Sequence, residues 1–320
     1  MSTKPTLFIV GTGFIGGTLL TSLLEEGKYE IAALSRDEAK ANKLKELGVR
    51  PVMGSLDSEV LVEESAKADI IIHAATADDQ PSVKSILKGL SQRPKDKSPA
   101  IYIHTSGTGI LTVPLHPESI YFSDENPEQF DNLVPDHAPH RDVDLLIKKA
   151  VEDGKLNAKI SIMLPPCIYG RGTGPFNKIS IQIPRWIRRS IEEKHVTQYG
   201  PERWWNNIHV ENLIDGYLVL LHQIEKTDSA PPLYVFCETG EHQWGTIGEI
   251  IHKELSAKKL VDSEPQATDA EDTICQTGTQ SRAHADLLRK WGWKGDRVKQ
   301  TIEESTVEDI EYILEEEKKN

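Results

Sequence analysis

The sequence predicts an α/β protein: a doubly wound parallel sheet with a smaller, C-terminal substrate-binding part. Three observations lead there. Near the start, the apolar run Leu7-Phe8-Ile9-Val10 meets Gly11-Thr12-Gly13-Phe14-Ile15-Gly16, and an amphipathic stretch follows to Glu26. Short apolar runs then alternate with helical segments of about ten residues, the rhythm of βαβ units. One run, Asp69–Ala74 (DIIIHA), is continuous rather than alternating, as a strand covered on both faces should be.

Taken in order, Thr6–Val10 is the first strand and the stretch to Glu26 its helix. Glu30–Leu34 is the second strand, and Asp37–Leu47 a polar helix closed by Gly48. Arg50–Met53 reads as a strand, Asp57–Ala66 as a helix, Asp69–Ala74 as a strand and Ser82–Leu90 as a helix. Ala100–His104 is the fifth strand. The pattern is lost from Leu111 to Pro139, a Pro-, Asp- and Asn-rich stretch of the length that is usually functional or disordered. Helix returns over His140–Asp153 and strand over Ala158–Leu164. Pro165–Trp205 mixes glycines, prolines and aromatics; Asn207–His222 reads as a helix with its entry, Leu233–Cys237 as a strand, Trp244–Leu255 as a helix. Gln266–Gln280 reads as a loop, and Arg282–Trp291 and Val298–Glu317 as closing helices. Residues 1–164 are expected to form the nucleotide domain. Residues 165–320 mainly form the substrate-binding part, with about 207–237 returning to the first core.

Composition narrows the function. The 320 residues are 38% hydrophobic and 27% charged, an ordinary globular balance. The net charge of −13 argues against nucleic acid, whose phosphates call for a basic surface. No run approaches the roughly 18 apolar residues of a membrane span, and no signal-peptide core precedes the first strand. Cys167, Cys237 and Cys275 lie far apart and are odd in number, which fits a reducing, cytoplasmic setting. His137 and His140 lack further ligands nearby, so no metal is expected.

The glycine turn carries the first chemistry. Gly11 permits the tight turn, Gly13 lets backbone approach a pyrophosphate, and Gly16 lets helix and strand pack closely. Thr12, Phe14 and Ile15 complete the cradle, and the helix offers free N–H groups to the phosphates. The second strand ends in Ser35-Arg36-Asp37, about twenty residues on, where the adenosine ribose is read. Ser35 and Arg36 suit a 2′-phosphate and favour NADP over NAD; Asp37, one residue along, is the counter-argument. Leu56 is placed to pack on adenine, and Asp57 to meet its amino group or cap the next helix. Ala74, Ala75 and Thr76 keep side chains small where backbone lines the cleft. Thr105, Ser106 and Thr108 end the fifth strand, facing the nicotinamide or forming a plain turn.

These residues together resemble the atypical, extended short-chain dehydrogenase/reductases, with their Rossmann domain and their epimerase and dehydratase relatives. The resemblance covers nearly the whole chain. It rests on Gly11–Gly17, Asp69–Ala75, Ile103–Thr108, Leu164–Gly170 (LPPCIYG), Ile208–Asn212 (IHVEN) and Ala283–Trp293. It implies that Pro166, Ile168 and Tyr169 line the nicotinamide side, and that the helix beginning at His209 holds the smaller part against the cofactor domain. It implies a monomer, or a homodimer through the His140–Asp153 and Asn212–His222 helices. The glycine motif is one residue shorter than the usual extended form, which points to the atypical branch.

The departure concerns catalysis. The family pairs a tyrosine with a lysine four residues later, and none of the eight tyrosines here has one. On the helix in the corresponding place, His140 stands at the tyrosine position and Asp144 at the lysine position. Histidine exchanges protons near neutrality, and an aspartate one turn on would orient it. His140 is thus a general-acid candidate, Asp144 its support, and Ser106 or Thr108 the groups polarising a carbonyl. Phe176, Trp186, Trp204 and Trp205, with Arg171, Arg185 and Arg203, suggest an aromatic and basic substrate wall. Function is expected to be NADP(H)-dependent oxidoreduction of a small carbonyl or polar metabolite. A catalytically silent NADP-binding regulator, and an epimerase- or dehydratase-like isomerase or lyase, stay open.

Overall fold

The computed structural model describes residues 4–114, 116–117, 119–261, 264–270 and 276–318. Apolar runs become strands and the segments between them helices. The order is β1 (Thr6–Val10), α1 (Phe14–Glu26), β2 (Glu30–Ser35), α2 (Glu38–Glu46), β3 (Arg50–Met53), α3 (Glu59–Lys67), β4 (Ile70–His73), α4 (Gln80–Ser91) and β5 (Ala100–Thr105). After a 3₁₀ turn at Thr108–Thr112 come β6 (Phe122–Ser123), α5 (Pro127–Leu133), α6 (Arg141–Glu152), β7 (Ala158–Leu164) and β8 (Cys167–Tyr169). Then follow α7 (Gln182–Glu193), β9 (Thr197–Tyr199), β10 (Trp204–His209), α8 (Val210–Lys226), β11 (Tyr234–Phe236), β12 (Gly240–Gln243) and α9 (Trp244–Ala257). β13 (Gln266–Thr268), β14 (Ala283–His284), α10 (Asp286–Lys290) and α11 (Ile302–Glu317) complete the chain.

Seven strands form one parallel sheet in the order β3-β2-β1-β4-β5-β7-β11. The chain leaves β1 to one side for β2 and β3 and returns to the other side for β4, so a crevice opens at the carboxyl end of β1. In such sheets that is where ligands bind. Helices cover both faces, which is why Ile70–His73 is buried residue after residue. A second core, built around Trp186, Trp205, Trp244 and Ile251, lies among α7, β9, β10, α9 and α11. Its small sheet runs β12-β10-β8.

Four expectations change. Asn207–His209 is not helix entry but the end of β10, which pairs with β8 and β12. Two asparagines can sit in a buried strand because their amides are used: Asn206 Oδ1 accepts from Ala283 N at 2.5 Å, and Asn207 Nδ2 meets His242 at 3.2 Å. Arg282–Trp291 is not one helix; β14 pairs with β6 before α10 begins. The stretch 111–139 is partly ordered, holding β6 and α5, with Asn126 capping α5 through Gln129 N. The loop expected over 266–280 holds the short strand β13 against β9, and residues 271–275, Cys275 included, lie outside the described residues.

Asp124 ties the two halves of this arrangement. Its carboxylate accepts from Phe236 N in β11 and from Asp286 N and Leu287 N at the start of α10, each at 3.0 Å. Asp124→Ala would leave three N–H donors without their acceptor. We expect it to lower unfolding free energy by roughly 3–5 kcal/mol, read by denaturant titration, whereas Asp124→Asn should cost less.

Candidate active site

The cleft lies at the carboxyl ends of β1 to β4. A cavity of about 290 Å³ is lined there by Gly11, Gly13, Ser35, Arg36, Leu56 and Ala75, among others. A larger concavity, about 600 Å³ and lined by Lys4, Arg50 and Lys67, opens at the opposite strand ends, away from the switch point.

Glycine geometry fits the first cavity to a dinucleotide. Gly11 adopts φ +100°, and a Cβ there would sit 2.5 Å from Ala75 Cα. A Cβ on Gly16 would fall on the Gly11 carbonyl oxygen, whereas one on Gly13 meets nothing within 4 Å. So two glycines are required by packing, and the third leaves room beside the helix end. No side chain caps α1 and its first turn holds no acidic residue, so its dipole end and N–H groups face the cleft. Ala74 and Ala75 bring the end of β4 against this turn.

On the ribose side, Ser35 closes a turn, its hydroxyl donating to Asp37 O at 2.9 Å. It is 5% exposed and so is placed as scaffold rather than ligand. Arg36 stands exposed in the cleft. Asp37 caps α2, its carboxylate accepting from Lys40 N at 3.0 Å. Lys40, missed in the sequence although it follows Arg36 by one helical turn, lines the same cavity. Leu56 lines the cavity as well. Asp57 does not cap α3, where Ser58 occupies the cap position; its carboxylate accepts from Ser55 Oγ at 2.5 Å, which holds it below the usual range.

At the nicotinamide end the expected partners are rearranged. His140 does not pair with Asp144. It is the cap residue of α6, with φ +66°, a left-handed conformation that costs a non-glycine residue about 1 kcal/mol. Its Nδ1 lies 2.5 Å from Asp78 Oδ1, and that ion pair holds the Asp78 carboxyl below its ordinary range. Nε2 lies toward Gly107, where an added Cβ would come within 3.5 Å. Asp78 was not legible as a site residue. Thr76 is a turn residue that helps place it, its Oγ1 accepting from Asp78 N at 3.2 Å.

Asp144 is fully buried and accepts from Ser106 Oγ at 2.9 Å, while its other oxygen has no partner. Burial pushes its pKa up to about 7, against the opposing pull of Ser106, His140 and Arg141. Thr105 turns away from the cleft, its Oγ1 2.6 Å from the Tyr217 hydroxyl in α8. Thr108 is buried, its N–H donating to Pro165 O and its hydroxyl unpartnered. Pro166 is buried and Ile168 half-buried, on the segment that pairs β8 with β10. Tyr169 points elsewhere: its hydroxyl donates to Gln300 O at 2.9 Å in the C-terminal part. Beneath the site, His73 and His104 meet Nδ1 to Nδ1 at 3.1 Å with no exposure. Burial drives both basicities down, His73 to about 4.

Residues 11–110 match the family described as NAD(P)H-binding. Among curated proteins, the chain is 28% identical over 282 residues to oxidase ucsJ from Acremonium sp, with 80% of each chain covered. A farnesylated quinoline-oxide ketoreductase from Stigmatella aurantiaca is 39% identical over 66 residues, 20% of each chain. Among solved structures, UDP-glucose 4-epimerase from Thermotoga maritima shares the fold with TM-score 0.68 at 15% identity, over 97% of this chain and 99% of that one. The NAD complex of the Thermus thermophilus enzyme of that name gives 0.67 at 14%, with 97% and 99% covered. The chain thus shares the fold of these epimerases and carries an NAD(P)H-binding domain over residues 11–110.

The aromatic wall expected of the substrate-binding part is not assembled. Trp186 and Trp205 are core residues, while Phe176 lies in the cofactor cavity. Arg171 pairs with Asp309 at 3.3 Å, and Arg203 donates to the Gly278 carbonyl at 2.8 Å. Among the described residues, no group of three or more His, Cys, Asp or Glu side chains stands close enough to hold a metal ion, and no helix is long and apolar enough to cross a membrane.

Asp144 makes a pH prediction. Its folded pKa is raised from 3.8 to about 7, so the stability it contributes is present below pH 4 and is lost as pH rises through 7. Asp144→Asn removes that loss. The variant should melt roughly 2–6 °C above the parent at pH 8 and much closer to it at pH 5, by calorimetry.

Proposed function

We propose that the chain is an NADP(H)-dependent oxidoreductase of the cytosol, acting on a small carbonyl or polar metabolite with a His140–Asp78 pair in place of tyrosine and lysine. The contact between His140 Nδ1 and Asp78 Oδ1 at 2.5 Å carries this reading. A carboxylate at Nδ1 fixes the tautomer and stabilises the imidazolium, which leaves Nε2 for proton exchange in the cleft. The strained backbone of His140 supports it too, since strain of this kind concentrates at functional sites.

NADP(H), when bound, supplies or takes the hydride. Gly11, Gly13 and the open end of α1 would hold its pyrophosphate, with Thr12, Phe14 and Ile15 around them. Arg36 and Lys40 would hold the 2′-phosphate, with the Asp37 carboxylate turned to the Lys40 amide as the α2 cap. His140 Nε2 gives a proton to the substrate oxygen in reduction and takes it back in oxidation. Ser106 polarises that oxygen when Asp144 is neutral, because an ionised Asp144 claims the Ser106 hydrogen for itself. The printed names of relatives, an oxidase and a ketoreductase, support redox chemistry.

Calorimetry with Arg36→Ala/Lys40→Ala should show NADPH affinity falling by roughly 10- to 100-fold and NADH affinity nearly unchanged. Equal losses for both cofactors would return the assignment to NAD. For catalysis, the purified chain is offered NADPH with a panel of small ketones and aldehydes, followed by NADPH absorbance. His140→Phe should keep cofactor binding and lose about 10²- to 10⁴-fold in turnover of any substrate found. Undiminished turnover in that variant would sink the histidine mechanism.

A further inference from the structure

The cofactor cavity has a roof from the other part of the chain. After β8, residues 170–178 run back across the first turns of α1. They approach it too closely for side chains: a Cβ on Gly174 would lie 2.6 Å from the Gly17 carbonyl carbon, and one on Gly172 would lie 2.6 Å from Thr18 Oγ1. The Thr173 carbonyl accepts from Thr21 Oγ1 at 3.3 Å. Within the loop, Gly172 N donates to Lys178 O at 3.1 Å, and Asn177 Oδ1 accepts from Ile179 N at 3.1 Å.

So anchored, the loop sets Phe176 and Asn177 into the lining that also holds Gly11–Gly13, Arg36 and Leu56. Phe176 is half-buried, and Lys40 Nζ stands 5.7 Å from its ring centroid. This contact bridges the two parts of the chain across the mouth of the cleft. The cavity, about 290 Å³ and open on one side, is small for a whole dinucleotide. Its lining has to move outward for the cofactor to seat.

We infer that residues 170–178 are a strap that closes over the adenosine half of the bound cofactor, with Phe176 as a holding residue, so that the cofactor is released slowly. The inference rests on the reading of this cleft as the NADP(H) site. Phe176 supplies an apolar face opposite the Leu56 side of the cavity, suited to a purine ring. Gly172 and Gly174 let the strap lie flat on α1. Lys40 links the strap to the position assigned to the 2′-phosphate, so a cofactor carrying that phosphate draws on the same residue that holds the roof.

The test is stopped-flow release of NADPH from the full chain, by its fluorescence, with excess NADP⁺ as trap. Phe176→Ala should speed release at least tenfold, and Gly174→Val, which cannot seat against Gly17, should do likewise. Phe176→Leu keeps apolar bulk and should lie between; it also serves if the alanine variant proves unstable. Amide exchange over 170–178 should slow when NADPH binds. Release from Phe176→Ala and Phe176→Leu at the parent rate, with exchange over 170–178 unaltered by NADPH, overturns the strap while leaving the cofactor site standing. If the parent binds neither NADPH nor NADH, the cofactor reading falls and the strap with it.

Discussion

Backbone meets backbone at Gly11, and the rest of the cleft depends on that contact. Its carbonyl lies where a side chain on Gly16 would have to go, and its Cα faces Ala75 with no space for a Cβ. Three elements, β1, α1 and the end of β4, therefore converge on atoms of the main chain alone. The convergence does two things at once. It closes the switch point of the sheet tightly enough that α1 begins at the edge of the cleft, and it leaves the space beside Gly13 empty, so the helix N–H groups face a hollow rather than a neighbour. A larger residue at either packed glycine would separate strand from helix and lose both.

The other end of the cleft is governed by charge. The chain buries Asp144 there, and desolvation of its carboxylate outweighs the opposing pull of Ser106, His140 and Arg141. Burial brings the titration of Asp144 to about 7, while Ser106, donating to one oxygen, favours the ionised form. His140, the cap residue of α6, meets Asp78 in the turn after β4.

The sheet was legible because strands buried on both faces are built mainly of apolar residues, as Ile70–Ile72 and Ala100–Ile103 are. The pairing of His140 was not legible, for a physical reason. The rule that residues four apart share a helix face applies to residues in helical conformation. His140 is outside the helix with positive φ, so its ring leaves the face that Asp144 shares and reaches Asp78, 62 residues away in sequence. Likewise Asn206 and Asn207 look like helix entry until the partners that satisfy their amides, Ala283 and His242, are brought alongside by the fold. Local periodicity carries no record of such contacts.

At Asp37 one hydrogen bond bears on two readings that sequence position leaves level. An acidic residue near the end of the second strand suits a ribose hydroxyl and repels a phosphate. Here the carboxylate is turned back to the amide of Lys40, and this same cap starts the helix that presents the Lys40 side chain to the cleft. The residue that would have argued for NAD is therefore the one that builds the cationic side of the pocket. Arg36 and Lys40 then flank the ribose position from strand end and helix, and the lysine reaches on to Phe176. Lys40 therefore stands both in the pocket with Arg36 and against Phe176, on a helix that starts at the Asp37 cap.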